Sequence, residues 1–523
     1  MPTLNWIGKE KVINHHQQVP YKILEPKYTF KNGEESNDVT SENKIIHGDN
    51  LEALKSLLPK YEGKIKCIYI DPPYNTGNEG WVYNDNVNHP KLKKWLGQVV
   101  GKESEDLSRH DKWLCMMYPR LKLLHKLLAD DGAIFISIDD NEQANLRLIC
   151  DEIFGIGNYV GDIIWQHSIQ GKNDAKKISL HHNHTFVYGK KDFQIGRLKR
   201  TEEHNKAYSN PDNDSNGKWR SGDVRSPNLR ENLIYDINTP SGKVIKAPEI
   251  GWRWSKELVD DKIKTGEIIF NEDETKIIRK IYLNQQKGRV VESIWFGKDI
   301  GTTRDANKLL KLIFDNDVPF DTPKPKDLIE RIIQISTNAN DIILDSFAGS
   351  GTTAHAVLNL NKQDGGNNKF ICIEMEEYAN TITAERVKRV INGYGEGKKA
   401  VEGTGGDFTY YELGQPLFKA DKMLNEEVPL PKILEYVWYT ETKSNYELGI
   451  ENEEYLLGKK NDTAYYFYYE KDSLTTLDES YLRTLKTKAS QYIIYADLCL
   501  LDQKLMDKYH IVFKKIPRDI TRF

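Results

Sequence analysis

An apolar run that ends in an acid and two prolines limits what this chain can fold into. Residues 65–70, Ile-Lys-Cys-Ile-Tyr-Ile, are typical of a buried strand. Asp71, Pro72, Pro73 and Tyr74 follow directly. Because proline fixes φ and has no N–H to donate to a sheet, the chain has to leave the sheet here in a fixed direction. We therefore expect the Asp71 carboxylate, the Pro72 carbonyl and the Tyr74 ring to share one small space.

This set of groups suits chemistry on an amino group. A carboxylate and a carbonyl are hydrogen-bond acceptors, and an aromatic ring can stack on a nucleobase. Two acceptors outside the ring plane would make an exocyclic amino nitrogen more tetrahedral and direct its lone pair to a methyl donor, which is positioning rather than covalent catalysis. A base in a duplex would first have to be flipped out. The tetrapeptide alone fits equally well a proline-rich turn with a solvated Asp71.

Strand and helix patterns alternate on both sides of this turn. They are found in residues 44–58, 111–132 and 132–155, and again in 341–361 and 369–377. Such alternation predicts an open, mainly parallel α/β sheet. Asp139 and Asp140 follow one of the predicted strands. Helix capping is the first interpretation of both, and a supporting role near the site is the alternative.

A second functional pattern lies far downstream, where a strand, a tight glycine loop and a helix follow one another. Gly349 and Gly351 would let the backbone approach a ligand closely, and Thr352 places a polar group at the helix N-terminus. Glu374 ends the next strand, near the spacing at which an acid binds ribose hydroxyls. The glycines also fit the permissive NAD fingerprint G-x-G-x-x-A, ending at Ala354, so the loop alone does not identify its cofactor.

The two patterns together resemble the S-adenosylmethionine-dependent amino-methyltransferases of DNA. D-P-P-Y is the catalytic motif of that family, and D-S-F-A-G-S-G is similar to its cofactor loop, which favours S-adenosylmethionine over NAD. D-P-P-Y precedes the cofactor loop with a large insertion between them, as in the β class. The chain resembles the modification (Mod) subunit of type III restriction-modification systems in three respects: its length, the sequence D-P-P-Y-N-T-G-N-E and the C-terminal extension.

The resemblance implies a Rossmann-like methyltransferase sheet and a role for each matching residue. Asp71, Pro72, Pro73 and Tyr74 would be catalytic. The residues implied in cofactor binding are Asp49, Asn50, Lys324, Asp345, Phe347, Gly349, Gly351, Thr352 and Glu374. Spacing alone would also explain Asp49 as a helix N-cap. Asp71 in the first motif position favours adenine N6 over cytosine N4.

The segment between the two motifs changes character. Its helix and strand periodicity weakens, and arginines alternate with aromatic residues, a combination suited to phosphates and base edges. We expect DNA contacts from Trp219, Arg220, Arg225 and Arg253, and from Trp81 in the loop after the catalytic turn. Arginine and aromatic surfaces also form ordinary protein interfaces.

These patterns predict five segments. They are an N-terminal extension (1–43), a catalytic half of a methyltransferase domain (44–191), a target-recognition insertion (192–305), a cofactor-binding half (306–412) and a small C-terminal α/β docking domain (413–523).

Composition limits the remaining possibilities. A net charge of −4 gives no support for nucleic-acid binding but allows a local basic cleft. The five cysteines form no C-x-x-C pair, which indicates a reducing cytoplasm and no zinc site, and the histidines at 181, 182 and 184 have no acidic or cysteine partner at ligand spacing. No apolar run approaches the roughly 20 residues of a membrane span. We therefore expect no metal, no membrane and a cytoplasmic protein.

The sequence thus predicts a site-specific adenine-N6 methyltransferase of duplex DNA. The resemblance implies a homodimer working with a separate restriction (Res) subunit that carries ATPase and nuclease activity, since no G-x-x-x-x-G-K-[ST] loop occurs in this chain. Three alternatives stay open: a DNA-recognition subunit that delivers a restriction partner, a cytosine-N4 methyltransferase, and methylation of RNA or of a protein glutamine.

Overall fold

The chain folds into two compact units. The computed structural model describes residues 3–76, 107–171, 178–446 and 453–521. The larger unit comprises residues 1–195 and 292–523, and the smaller one, residues 196–291, is inserted between its two parts. The smaller unit begins and ends inside the insertion predicted at 192–305. The predicted C-terminal segment belongs to the larger unit.

The larger unit is built on a central sheet of eleven strands. In chain order these begin with β1 (Lys22–Lys31), β2 (Glu34–Ser36), β3 (Lys44–His47), β4 (Ile65–Ile70), β5 (Leu128–Ile138), β6 (Tyr159–Gln166) and β7 (His182–Gly189). After the strands β8 (Trp219–Gly222), β9 (Ile237–Asn238), β10 (Val244–Ile245), β11 (Ile268–Phe270) and β12 (Ile277–Tyr282) of the smaller unit, the chain returns with β13 (Ile294–Trp295), β14 (Ile342–Asp345) and β15 (Lys369–Glu374). A short pair, β16 (Gly393–Tyr394) and β17 (Val401–Glu402), precedes the last central strand, β18 (Asp407–Pro416).

The strand order is β13-β6-β7-β5-β4-β14-β15-β3-β18-β1-β2. From β5 through β4, β14, β15 and β3 to β18 every pair is parallel, and the antiparallel pairs lie towards the two edges. The chain runs outward from β4 to β5 in one direction and from β14 to β15 in the other. β4 and β14 are neighbours at this reversal, which is where open α/β sheets bind ligands, outside the carboxyl ends of the strands. The predicted α/β class is confirmed.

Helices cover the sheet. In chain order the described helices are α1 (Lys9–Val12), α2 (His15–Gln18), α3 (Asn50–Tyr61), α4 (Leu107–Leu127), α5 (Gln143–Phe154), α6 (Glu202–Asn205), α7 (Lys256–Lys264), α8 (Gly297–Ile300), α9 (Thr303–Ile313), α10 (Lys326–Ser336), α11 (Thr352–Asp364), α12 (Glu385–Asn392), α13 (Leu430–Thr442), α14 (Glu479–Leu482) and α15 (Gln503–Lys508). α4 packs on α3 and α5, and α11 packs on α10 and α12. On β4, Ile68 and Ile70 belong to the same apolar core as α3, α4 and α5. Cys67 and Tyr69, which alternate with them along the strand, are also buried, so both faces of β4 are covered.

The smaller unit has its own apolar core and little regular structure. β8, β12 and β11 form a three-stranded antiparallel sheet, and β9 pairs with β10. Trp252, Val259, Ile268 and Ile277 are among the buried residues of its core. Ser255 is the N-cap of α7, and its hydroxyl accepts a hydrogen bond from the Leu258 N–H.

The C-terminal segment adds a second, four-stranded sheet to the larger unit. Its strands are β19 (Leu456–Lys460), β20 (Thr463–Phe467), β22 (Gln491–Ala496) and β24 (Ile511–Lys515), and β21 (Thr476–Leu477) pairs separately with β23 (Leu498–Cys499). Helix α13 contributes Tyr436 and Val437 to the core beneath this sheet. Within the described residues, none of the helices has the length and apolar character needed to cross a membrane.

Candidate active site

The Asp71–Tyr74 turn lies at the carboxyl end of β4 and is held from several sides. The Tyr74 hydroxyl donates to Asp71 Oδ1 at 2.9 Å, and the Lys324 ammonium pairs with Asp71 Oδ2. The indole N–H of Trp113, a fully buried residue of α4, donates to the Pro73 carbonyl at 2.7 Å. The turn is therefore held rigidly, and Asp71 as a whole residue is 9% exposed.

Asn75, the residue after this turn, holds the backbone in place where the chain leaves it. Its φ of 59° lies in the left-handed region, which asparagine tolerates better than most residues. The Asn75 side-chain amide donates to Oε1 of Glu142, whose side chain is wholly inaccessible to solvent. His110 Nδ1 lies 2.6 Å from the same oxygen, and Asn145 donates to Oε2 at 2.8 Å. Glu142 thus joins the end of the Asp71–Tyr74 turn to α4 and α5.

The glycine loop follows β14, the neighbour of β4. Gly349 and Gly351 have φ values of 52° and 78°, so both sit in the conformation that favours glycine. A Cβ at Gly351 would lie 2.9 Å from the Thr383 carbonyl oxygen. Thr352 opens α11, and its hydroxyl accepts from the buried guanidinium of Arg386 at 2.7 Å. The backbone at Thr383 therefore packs closely against the loop and leaves no room for a side chain at Gly351.

Glu374 ends β15 and contacts the glycine loop through its carboxylate. Oε2 accepts from the Gly349 N–H at 2.7 Å, and Oε1 accepts from the N–H groups of Met375 and Glu376. A carboxylate bound by three backbone donors is held in one orientation. Glu374 therefore contacts the glycine loop, and the sequence pattern had predicted that the two act together.

The Gly-Asp-Asn segment after β3 is tied to the same place. Asp49 is the N-cap of α3 and accepts from the N–H groups of Leu51 and Glu52, as its spacing predicted. Asn50 accepts from the Arg120 guanidinium, and its amide donates to the Ser346 carbonyl at 3.3 Å. Asn50 therefore links the segment to the cofactor loop, while the second Asp49 oxygen lies 3.5 Å from Arg120.

The charges at this edge interact. Asp345 is 2% exposed, and burial raises the pKa of its carboxyl to about 7, against the hydrogen bonds from the Thr353 hydroxyl and the Phe347 N–H. The charge of Asp71 acts in the same direction as burial, and that of Lys324 opposes it. Burial and the Asp71 carboxylate also raise the pKa of Tyr74 well above its usual value, so its hydroxyl stays a hydrogen-bond donor.

Lys324 contacts the Asp71–Tyr74 turn. Besides its ion pair with Asp71, its ammonium is 5.1 Å from the centre of the Tyr74 ring. The resemblance grouped Lys324 with the cofactor residues, and the contacts that the structure gives it are with Asp71 and Tyr74. Phe347 packs at the margin of the main core, next to the loop that carries it.

A cavity of about 700 Å³ opens beside Tyr74 and Lys324. Its other lining residues include Asp139, Asp140, Trp165, His167, His182, Asn183 and Arg304. The volume is in the range of small-molecule sites and exceeds that needed for a nucleobase.

Asp139 and Asp140 do not cap the following helix, which is the role that the sequence predicted for them. The N-cap of α5 is Glu142, and Asp139 accepts instead from the Asn141 N–H in the preceding turn.

Histidines and carboxylates meet at the rim of this cavity. Asp140, His182 and His184 place their ligand atoms within 4.8 Å of one another. His184 Nδ1 lies 2.7 Å from Asp162 and Nε2 lies 3.1 Å from Asp140. The hydrogen bond to Asp162 raises the pKa of His184, and an imidazolium donating from both nitrogens satisfies this arrangement. The expectation that no acid accompanies these histidines was wrong, because β5 pairs with β7 and brings Asp140 alongside.

The residues expected to contact DNA in the insertion differ in exposure. Arg220, Arg225 and Arg253 are exposed on the smaller unit. Trp219 is only 9% exposed, and its indole N–H donates to Asp212 at 2.8 Å, so this ring packs within the unit and is not available to stack on a base. Trp81 lies outside the described residues.

Some residues that hold the site were not predicted from the sequence. They are Glu142, Trp113 and Arg120, all buried and all in contact with a motif residue. Arg120 and Trp113 stand in the apolar pattern of α4, where an isolated arginine is an available signal for a buried polar contact. Glu142 looks like an ordinary polar residue in the sequence.

Comparison with known proteins assigns the chain to a family. The sequence profile of the family described as DNA methylase matches residues 65–385. The chain belongs to this family.

Two curated relatives and one solved structure are among the proteins to which this chain is similar. The type III restriction-modification enzyme StyLTI Mod subunit of Salmonella typhimurium strain LT2 is 34% identical over 389 residues, 72% of this chain and 58% of that protein. The type II methyltransferase M1.MboII of Moraxella bovis is 52% identical over 327 residues, 62% of this chain and 90% of that protein. Among solved structures, the cytosine-N4-specific PvuII DNA methyltransferase is 14% identical, with a TM-score of 0.35 over 66% of this chain and 87% of that one.

The predicted resemblance to Mod subunits is confirmed by the identity of 33 to 34% with three type III Mod subunits. The predicted methyltransferase class is confirmed by the family match. The chain spans 58 to 64% of the length of the three type III Mod subunits that it matches.

Proposed function

We propose that this chain transfers the methyl group of S-adenosylmethionine to the N6 amino group of a flipped adenine in duplex DNA, as the modification component of a restriction-modification system. The observation that carries the proposal is the adjacency of β4 and β14. Their carboxyl ends bring the acceptors and ring of the Asp71–Tyr74 turn beside the glycine loop at Gly349–Gly351. One edge of the sheet therefore offers both an amino-group site and a cofactor site.

The turn's own residues would orient the amino group. Asp71 and the Pro72 carbonyl accept its hydrogens, and Tyr74 stacks on the base that carries it. The bond from the Tyr74 hydroxyl to Asp71 holds ring and carboxylate in one arrangement, so little reorganisation is needed when the base arrives. The adjacent cavity of about 700 Å³ supplies room for the base.

The residues around the glycine loop fit a cationic cofactor with ribose hydroxyls and a carboxylate. Bound S-adenosylmethionine supplies the electrophilic methyl group. Asp345 and Glu374 provide negative charge at the strand ends, and the loop leaves N–H groups at the start of α11 for a carboxylate. The Ser346 hydroxyl is buried without a hydrogen-bond partner among the described residues, as in a site that a ligand completes.

Methyl transfer from tritiated cofactor to genomic DNA that carries no methylated bases tests the reaction. After digestion to nucleosides, we expect the label in N6-methyladenine, and none with the Asp71→Ala protein. Label in N4-methylcytosine would keep the mechanism and replace adenine with cytosine. Absence of label with folded, cofactor-binding protein would overturn the proposal in favour of a recognition subunit that delivers a restriction partner.

We also infer that the chain works as a homodimer with a separate restriction subunit. Two observations support this inference: the chain is 33 to 34% identical in sequence to three type III Mod subunits, and its sequence contains no phosphate-loop motif. The segment 413–523, with its separate sheet, is the proposed docking region. Light scattering on the purified chain should give twice the monomer mass of 60.5 kDa. A monomer at micromolar concentration would contradict the dimer.

A further inference from the structure

Lys324 occupies the position where the target amino group is expected. Its ammonium is hydrogen-bonded to Asp71 Oδ2 and lies over the Tyr74 ring, 5.1 Å from the ring centre. These are the two contacts, acceptor and aromatic face, that the proposed mechanism gives to the amino group and ring of adenine. The contact joins residues 253 positions apart, and the exposed fractions of the Lys324 and Asp71 side chains are 10% and 12%.

The chain is stiff where it presents this ammonium. Lys324 stands between Pro323 and Pro325, and Pro325 is the N-cap of α10. The prolines restrict the backbone on both sides, so release of Asp71 has to come from rotation of the lysine side chain. Four carbon–carbon bonds in that side chain allow such a rotation without movement of α10.

An ammonium and an exocyclic amino group are both N–H donors, and both need the same oxygen here. Asp71 Oδ1 is already bonded to the Tyr74 hydroxyl, so Oδ2, the oxygen that Lys324 holds, is the one for which the two donors compete. A nearly buried carboxylate without a partner is unfavourable, so a base can displace Lys324 at low cost only if it donates a hydrogen bond in return.

We propose that Lys324 is a positioning residue that takes the place of the target amino group on Asp71 in the free enzyme and leaves when the base enters. This inference rests on the proposed function. Lys324 keeps Asp71 paired and in position while the site is empty. It also makes entry of any base into the site compete with an ion pair, so that the base must supply a donor.

A cycle that combines a lysine variant with removal of the base tests this competition. The enzyme binds a duplex carrying its methylation site, mapped from the labelled genomic DNA, with either the target adenine or an abasic tetrahydrofuran at that position. S-adenosylhomocysteine is present to prevent turnover, and affinity is measured by fluorescence anisotropy. The readout is the preference for adenine, the Kd for abasic DNA divided by the Kd for adenine DNA.

For Lys324→Met we expect this preference to rise about tenfold or more, because adenine no longer displaces a charged hydrogen-bonded partner while the abasic duplex displaces nothing. Lys324→Gln keeps an uncharged donor, should give a smaller rise, and replaces the methionine variant if that protein does not fold. Lys326→Met is the matched control. It removes an ammonium of the same segment that pairs with Asp327 and Glu330, and should leave the preference unchanged.

Two results would overturn the proposal. An unchanged preference in both Lys324 variants, with wild-type methyl transfer intact, would show that the ammonium and the base do not compete. Loss of S-adenosylhomocysteine affinity without a change in preference would assign Lys324 to the cofactor. If the wild-type chain transfers no methyl group to DNA, the proposed function fails instead, and the two failures are thereby distinguished.

Discussion

Replacing Glu142 with glutamine should damage catalysis without touching any residue proposed to meet substrate. The carboxylate accepts from Asn75 and lies 2.6 Å from His110 Nδ1 through Oε1, and accepts from Asn145 through Oε2. A carboxamide of the same shape offers one acceptor oxygen and sets an N–H₂ group against one of these donors. Leaving one buried donor unsatisfied costs about 1–3 kcal/mol.

Part of that cost should appear in the catalytic turn, because Asn75 directly follows Tyr74 and is 3% exposed. A small displacement of Asp71 from the amino group lowers kcat by about tenfold to a hundredfold. The residues proposed to bind the cofactor, such as Asp345 and Glu374, stand at the ends of β14 and β15. The Kd for S-adenosylhomocysteine should therefore change little. Steady-state kinetics with tritiated cofactor and calorimetric titration measure the two quantities.

Glu152→Gln is the matched control on the same helix. The Glu152 side chain is 23% exposed, bonds to Lys9 and to the Tyr118 hydroxyl, and makes no hydrogen bond to the turn among the described residues. This variant should therefore lose less stability than Glu142→Gln and keep its kcat. Equal losses of kcat in the two variants would refute the argument, as would a Glu142→Gln enzyme with normal kcat and a lowered melting temperature.

Three further predictions follow from the same edge of the sheet. Asp71→Ala should abolish methyl transfer while calorimetry still detects cofactor binding, and near-normal turnover would remove Asp71 from the mechanism. Because the pKa of Asp345 is raised to about 7, its carboxyl is mostly protonated at pH 6 and ionised at pH 8. The affinity for the sulfonium cofactor should therefore rise with pH across this window in the wild type and stay flat in Asp345→Asn, and parallel pH profiles would contradict this. Gly351→Ala should lower both melting temperature and cofactor affinity, since a left-handed φ costs about 1–2 kcal/mol for a residue with a Cβ and the new Cβ would also meet the Thr383 carbonyl. Gly365→Ala, with a φ of 71° and open space around its Cβ, should show only the smaller stability loss, and equal cofactor binding in the two variants would disprove the role of close packing.

Local patterns identified the parts of the site that are continuous in sequence. An apolar strand that ends in Asp71 and two prolines has few alternative structures, and the same holds for a strand followed by Gly349 and Gly351. Asp49 is at a helix N-cap, as its spacing indicated. Exposure within the insertion was harder to predict, because aromatic residues there lack a clear periodicity. Trp219 consequently looked like a surface residue and is buried.

The partners of these motifs depend on strand order, which local patterns do not encode. Asp140 stands 44 residues before His184, yet the antiparallel pairing of Ile138 with His184 makes them neighbours. Lys324 reaches Asp71 because β14, which follows its helix, lies beside β4. Once that single adjacency is known, the pairing of lysine and aspartate and the position of the glycine loop beside the turn have one cause. The strand order is therefore what turns two separate motifs into one site, and a variant that weakens the contact between β4 and β14 should impair cofactor binding and methyl transfer together.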